Sequence, residues 1–165
     1  MSMEKLYVIH SLCESEIFDK LRILVAENVS RVYDIKVTNT LNHNHYFLKF
    51  IIKTTSENCT KLCEILQGYN VIITNCYELV FPSYRVRIKG DAEKCLTIQK
   101  ELLNSFICCG AVPLKTEITS DDFITAICDI IVTNKDPSKC VKFLEILRKN
   151  KDLSYTITPI ESYEC

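Results

Sequence analysis

Cys59-Thr60-Lys61-Leu62-Cys63-Glu64-Ile65-Leu66 lines up with Cys140-Val141-Lys142-Phe143-Leu144-Glu145-Ile146-Leu147. The lysine and the Glu-Ile-Leu run coincide, and in both stretches apolar residues recur at helical spacing. What surrounds the first stretch is repeated around the second in pattern, not in identity. Each helix follows a strand, a helix and two further strands, and each is followed by a last strand.

In the first half, Leu6 to Leu12 is a short apolar strand, and Ser11 with Glu14 three residues later has the form of a capping box for a helix to follow. Ile17, Phe18, Leu21, Leu24 and Val25 mark the buried stripe of that helix. Arg31 to Thr40 alternates as a strand, and Leu41-Asn42-His43-Asn44 has the polar character of a hairpin turn. Beyond it, Tyr46, Leu48, Phe50 and Ile52 share one strand face, and His45, Phe47, Lys49, Ile51 and Lys53 share the other. Ser56 caps the second helix, whose stripe is Cys59, Leu62, Cys63 and Leu66, and Gly68 suits its end. Val71 to Val80 is the closing strand.

The second half runs in the same order. Tyr84 to Lys89 is a strand, and Asp91 starts a helix with Cys95, Leu102, Leu103 and Phe106 inward and Gly110 at its end. Val112 to Ile118 and Phe123 to Val132 form a hairpin across Thr119-Ser120-Asp121-Asp122. Asp136-Pro137 opens the last helix, since proline suits a first helical turn. Val141, Leu144 and Leu147 face inward there, and Leu153 to Ile160 is the last strand.

The pattern predicts an α+β protein of two tandem ferredoxin-like βαββαβ modules, 1–81 and 82–165, joined at Phe81-Pro82 with almost no linker. Right-handed crossovers place both helices of a module on one face of a four-stranded antiparallel sheet, leaving the opposite face free to bind.

The chain is 47% hydrophobic and 25% charged, the balance of a globular protein. Residues 1–82 hold 8 Lys and Arg against 9 Asp and Glu, and residues 83–165 hold 12 against 12. Attraction to phosphate is therefore not built into the composition, and nucleic-acid binding needs a local basic patch. No apolar run approaches the roughly 20 residues of a membrane-spanning helix, and the start lacks the pattern of a secretory signal. The expectation is an intracellular protein, cytoplasmic or nuclear, with no membrane partner. Ten cysteines would suggest disulfides in a secreted chain; here most fall at apolar-periodic positions, and reduced thiols are expected.

Two families resemble this chain. Leu6-Tyr7-Val8-Ile9-His10-Ser11-Leu12 is similar to the first-strand signature of the RNA-recognition motif, with one extra residue before the leucine. His43-Asn44-His45-Tyr46-Phe47-Leu48-Lys49-Phe50 maps loosely onto its third-strand signature, with Asn44 and Tyr46 departing from the glycine and small residue of the family. The resemblance implies single-stranded RNA as a ligand. Tyr7, His45 and Phe47 would be the stacking platform, and Lys5, Lys49 and Lys53 would meet phosphates beside it. Plain packing of those strand aromatics is the competing reading.

In the second module, Arg85, Arg87 and Lys89 share one face of the first strand, as a phosphate or partner contact or as a solvated sheet face. Thr125 to Ile131 offers no aromatic, so this module reads as a docking surface for a protein partner or as a dimerisation surface. The same topology also resembles the small-molecule-sensing ACT domain, often found in tandem. That family places a glycine-containing turn at the start of its first helix to approach an amino acid. The matching stretches are Cys13-Glu14-Ser15-Glu16 and Gly90-Asp91-Ala92-Glu93, of which only the second has the glycine.

Cys59 and Cys63 with His43 and His45 have the residue types of a zinc site, but two cysteines four apart are also what a packed helix stripe produces. Cys108-Cys109 reads as helix-end packing, with no neighbouring base to activate either thiol. No catalytic residues, metal site or cofactor are expected, and an enzyme is the least favoured class. The leading expectation is a non-catalytic binding protein for single-stranded RNA. The alternative is a protein–protein adaptor or regulatory subunit, with small-molecule sensing of the ACT type.

Overall fold

A computed structural model describes residues 3–41 and 44–161. Asn42 and His43 of the expected hairpin turn, and the tail from 162 on, lie outside the described residues. The chain divides into two compact units, the first ending at Val80 and the second beginning at Phe81.

The first unit comprises β1 (Lys5–Glu14), α1 (Phe18–Asn28), β2 (Arg31–Asn39), β3 (His45–Thr54), α2 (Ser56–Gly68) and β4 (Ile72–Glu78). The second comprises β5 (Ser83–Asp91), α3 (Ala92–Cys108), β6 (Val112–Thr119), β7 (Thr125–Thr133), α4 (Val141–Lys149) and β8 (Ser154–Ile160). Short 3-10 turns at Ser15–Ile17 and Pro137–Lys139 precede α1 and α4. Each unit holds one four-stranded antiparallel sheet, in the order β2-β3-β1-β4 and β6-β7-β5-β8. These are two tandem ferredoxin-like βαββαβ modules.

Strand alternation decides the core. In the first module Ile9, Cys13, Leu48, Phe50 and Ile52 meet Leu21 and Val25 of α1 and Cys59, Leu62 and Leu66 of α2. All five strand residues belong to one sheet face, so both helices cover that face. In the second module Val86, Ile88, Cys128, Ile130 and Val132 meet Cys95, Ile98, Leu102 and Phe106 of α3 and Phe143 and Leu147 of α4. Phe106 and Phe143 lie with ring centroids 4.7 Å apart, both fully buried, and join the two helices. Burying each ring contributes about 1.5–3 kcal/mol.

Several local expectations change. Ser11 does not cap a helix, because β1 runs on to Glu14; Ser11 lies buried opposite Leu48, and its hydroxyl has no hydrogen-bond partner among the described residues. The cap of α2 is Thr55, one residue before Ser56, whose side chain accepts from the Asn58 amide at 3.2 Å. After α2 the left-handed residue is Asn70, φ 64°, and not Gly68. Asp91 caps α3 as expected, accepting from the Lys94 amide at 3.0 Å, and Gly110 ends it at φ 87°. On α4 Leu147 is buried and Leu144 packs against the core as expected, but Phe143 is the further inward residue and Val141 is exposed.

Gly90 has a packing reason to lack a side chain: a β-carbon there would run into the side chain of Leu153 unless that side chain shifted. Of the edge strands β2, β4, β6 and β8, β2 and β6 are irregular along β3 and β7. Register slips between Tyr33 and Lys36, where Asp34 has φ 44°, and between Pro113 and Lys115.

Cys109 and Cys140 form a disulfide, with Cα atoms 5.8 Å apart, so the expectation of uniformly reduced thiols fails for this pair. The bond ties the end of α3 to the residue before α4, a juxtaposition made by helix packing and separated by 31 positions in the chain. Cys13, Cys59, Cys63, Cys76, Cys95, Cys108 and Cys128 are free.

Candidate functional site

The stacking platform expected on the first sheet does not assemble. Tyr7 pairs with Ile52 and packs against the helix-side core, whereas Phe47 pairs with Leu12 and points to the opposite face. Lys5 has the same parity as Tyr7 and forms an ion pair with Glu78 at 3.7 Å. His45, Phe47, Lys49 and Lys53 do share the face away from the helices, as the alternation of β3 predicts. At the centre of that face stand Val8 and Ile51, paired across the ladder and both buried.

The rings that meet Phe47 were not foreseen. His10 contacts Phe47 edge-on at 6.3 Å and Tyr77 at 6.0 Å, so the aromatic row runs across β3, β1 and β4. His10 falls on this face by counting outward from Ile9; Tyr77 could be found only once the bulge in the β1–β4 register was known.

On the second sheet, Arg85, Arg87 and Lys89 share the face opposite the core, but they are not a bare basic strip. Arg87 pairs with Asp129 at 2.8 Å, which removes one of the three charges from any phosphate. Lys89 lines a cleft of about 520 Å³ beside the β6–β7 turn, together with Thr119, Ser120, Asp121, Asp122 and Ser154 and the backbone at Gly90. Neither Lys89 nor Asp121 is tied to another side chain among the described residues. The neighbouring Asp122 shapes the turn: its carboxylate accepts from the Ile124 and Thr125 amides, each at 2.9 Å. These two bonds, with smaller contributions from the Thr125 and Ser120 side chains, hold its pKa below the usual carboxylate value. The turn leaves Phe123 and Ile124 exposed.

A second cavity, about 180 Å³ and almost wholly apolar, lies between α1 and β2 and is lined by Phe18, Leu21, Val25, Val32, Ile35 and Phe50.

The zinc reading of Cys59, Cys63, His43 and His45 does not hold as a set, since His45 lies on the sheet face away from α2 and His43 is outside the described residues. The two cysteines instead meet Cys76, which pairs with core residue Ile9 and so faces α2 from the edge strand β4. The three sulfurs lie within 4.8 Å of one another, with Cys59 and Cys76 at 3.8 Å. Hydrogen bonding from Cys59 lowers the pKa of the Cys63 thiol below its ordinary value. That shared proton, then burial, raises Cys59, and burial raises Cys76.

No protein-family model matches the chain. No curated protein sequence matches it either. Among solved structures, the acetolactate synthase small subunit from Thermotoga maritima is similar across 99% of both chains, at 13% identity and a TM-score of 0.55. That likeness establishes the fold. Looser fits include a proposed glycine cleavage system transcriptional repressor, with 98% of this chain and 100% of that one covered, 12% identity and a TM-score of 0.40. Another is the regulatory subunit of aspartate kinase from Thermus thermophilus, with 90% and 97% covered, 12% identity and a TM-score of 0.32. Neither of these two is close enough to weigh further. No helix among the described residues is long and apolar enough to cross a membrane.

Proposed function

We propose that this chain is a non-catalytic regulatory protein of the tandem ACT-like type, and that its second module senses a small zwitterion of the amino-acid class. The observation that carries this reading is the cleft at Lys89. One ammonium, Lys89, and two carboxylates, Asp121 and Asp122, line the same opening with the hydroxyls of Thr119, Ser120 and Ser154. Because Asp122 is engaged by the Ile124 and Thr125 amides, Lys89 and Asp121 are the pair left to meet a ligand. A molecule bearing both an α-carboxylate and an α-ammonium matches that pair, with charge-assisted hydrogen bonds at each end. The cleft adjoins Gly90, the position at which the ACT resemblance expects its ligand, and a fold shared end to end with an acetolactate synthase small subunit supports the same class. Fold alone would not name a ligand.

Thermal unfolding of the purified chain against the common amino acids tests the reading. A cognate amino acid at 100 times its dissociation constant stabilises by about 2.7 kcal/mol, which raises Tm by several degrees. Lys89→Met and Asp121→Asn should each remove the shift while leaving the unliganded melt in place. The reading fails if no amino acid raises Tm, or if Lys89→Met keeps the full response.

A second reading, docking of a protein partner at the same turn, is favoured by Phe123 and Ile124, 94% and 67% exposed at its tip. Phe123→Asp would abolish it without touching the amino-acid response.

A further inference from the structure

We infer that Cys59, Cys63 and Cys76 form a three-thiolate site for a soft d10 metal ion, Zn²⁺ or Cu⁺. The site is independent of the cleft at Lys89: all three cysteines belong to the first module, at the edge where α2 crosses β4. The helix supplies two ligands because Cys59 and Cys63 are one turn apart and project from one side of α2. The third comes from a different element. Cys76 follows Ile9 in register, so its side chain points under α2 and not to the far face of the sheet.

A helix stripe packed only for burial would explain Cys59 and Cys63. It would not explain a third sulfur directed at the same point from an edge strand and left accessible there. Cys59 is 5% exposed and buried in the core, Cys63 is half-buried and Cys76 is exposed, so the cluster runs from the interior to solvent. An ion can therefore enter without unfolding the module.

The spacing suits the chemistry. Metal–sulfur bonds of about 2.3 Å at tetrahedral angles separate two thiolates by about 3.8 Å. Cys59 and Cys76 already stand 3.8 Å apart, and the full set spans 4.8 Å, so a side-chain rotation at Cys63 or Cys76 completes the triad. An all-sulfur donor set selects soft ions over Mg²⁺ or Ca²⁺. With three protein ligands the accessible side keeps a fourth position, filled by water or an external donor on Zn²⁺ and dispensable for three-coordinate Cu⁺. Binding exchanges thiol protons for the ion, with no change of oxidation state at sulfur or metal.

The test uses the full chain, purified reduced and free of metal under anaerobic conditions. Zn²⁺ and Cu⁺ are titrated separately, each in competition with a chromophoric chelator, and Co²⁺ serves as a spectroscopic stand-in for zinc. One equivalent per chain is expected, with a sulfur-to-cobalt charge-transfer band. The two competition arms distinguish a zinc site from a copper site. Cys59→Ser, Cys63→Ser and Cys76→Ser should each weaken binding by at least roughly 10-fold, since removing even an outer-shell partner costs that much. Cys95→Ser, in the second module, should leave it unchanged.

Because Cys59 is a core residue, its variant can misfold, so the native chain is also alkylated with and without metal and mapped by mass spectrometry. Protection of Cys63 and Cys76 by the ion is expected. The inference is overturned if no ion protects them, or if the Cys76→Ser variant binds as the native chain does.

Discussion

Arg87 and Asp129 face each other across the central strand pair of the second sheet. The guanidinium donates from Nε to Oδ1 at 2.8 Å and from Nη2 to Oδ2 at 2.9 Å. A two-point bond between a rigid fork and a carboxylate fixes geometry as well as charge. The side chains are 39% and 28% exposed, so solvent screens a good part of the attraction. Arg87→Ala and Asp129→Ala should each lower stability by about 1 kcal/mol, and a double-mutant cycle in urea should return a coupling of about 0.5–1 kcal/mol. A coupling indistinguishable from zero would show that the pair is incidental to the sheet.

The disulfide between Cys109 and Cys140 closes a loop of 31 residues and should stabilise the second module by about 2–4 kcal/mol. Adding a reductant, or making the Cys109→Ala/Cys140→Ala variant, should lower the melting temperature. Non-reducing peptide mapping should find the two cysteine peptides joined and lighter by two hydrogens. Finding both thiols alkylated in the untreated protein would remove the bond from the account.

Asp122 makes the β6–β7 turn sensitive to acid. Its folded pKa lies below the unfolded value because the Thr125 and Ile124 amides donate to the carboxylate. Its contribution is therefore fully present above the ordinary carboxylate pKa of about 4 and is lost as pH falls through the lower folded value. Following the Ile124 and Thr125 amide signals by NMR from pH 6 downward should show the turn loosening only in that acidic window. Asp122→Asn should flatten this response. A transition centred near neutral pH would contradict the assignment.

The architecture was legible because helix periodicity, strand alternation and turn residues agreed with one another in both halves. Its failures have local causes. Ser11 and Glu14 matched a capping box, yet β1 continued through both, since Ile9 and Cys13 are buried on one face of an uninterrupted strand. Alternation sorted the residues of β3 correctly into two faces, but it could not say which face of β1 each one joins. Only the pairing of Tyr7 with Ile52 and of Leu12 with Phe47 reveals that Tyr7 and Phe47 look away from each other. Cys59 and Cys63 declared themselves by spacing. Cys76 did not, because its place depends on the order of strands and on the slip between His10 and Ser11.

At one edge of each sheet, β2 and β6 break step near their beginnings, one at a left-handed aspartate and the other beside a proline. A rim twisted in this way offers a poor template to any incoming chain that would add itself as the next strand. Each four-stranded sheet ends in two edge strands, β2 and β4 in the first module and β6 and β8 in the second. The kinks in β2 and β6 discourage one border of each sheet from seeding strand-on-strand stacking at high concentration.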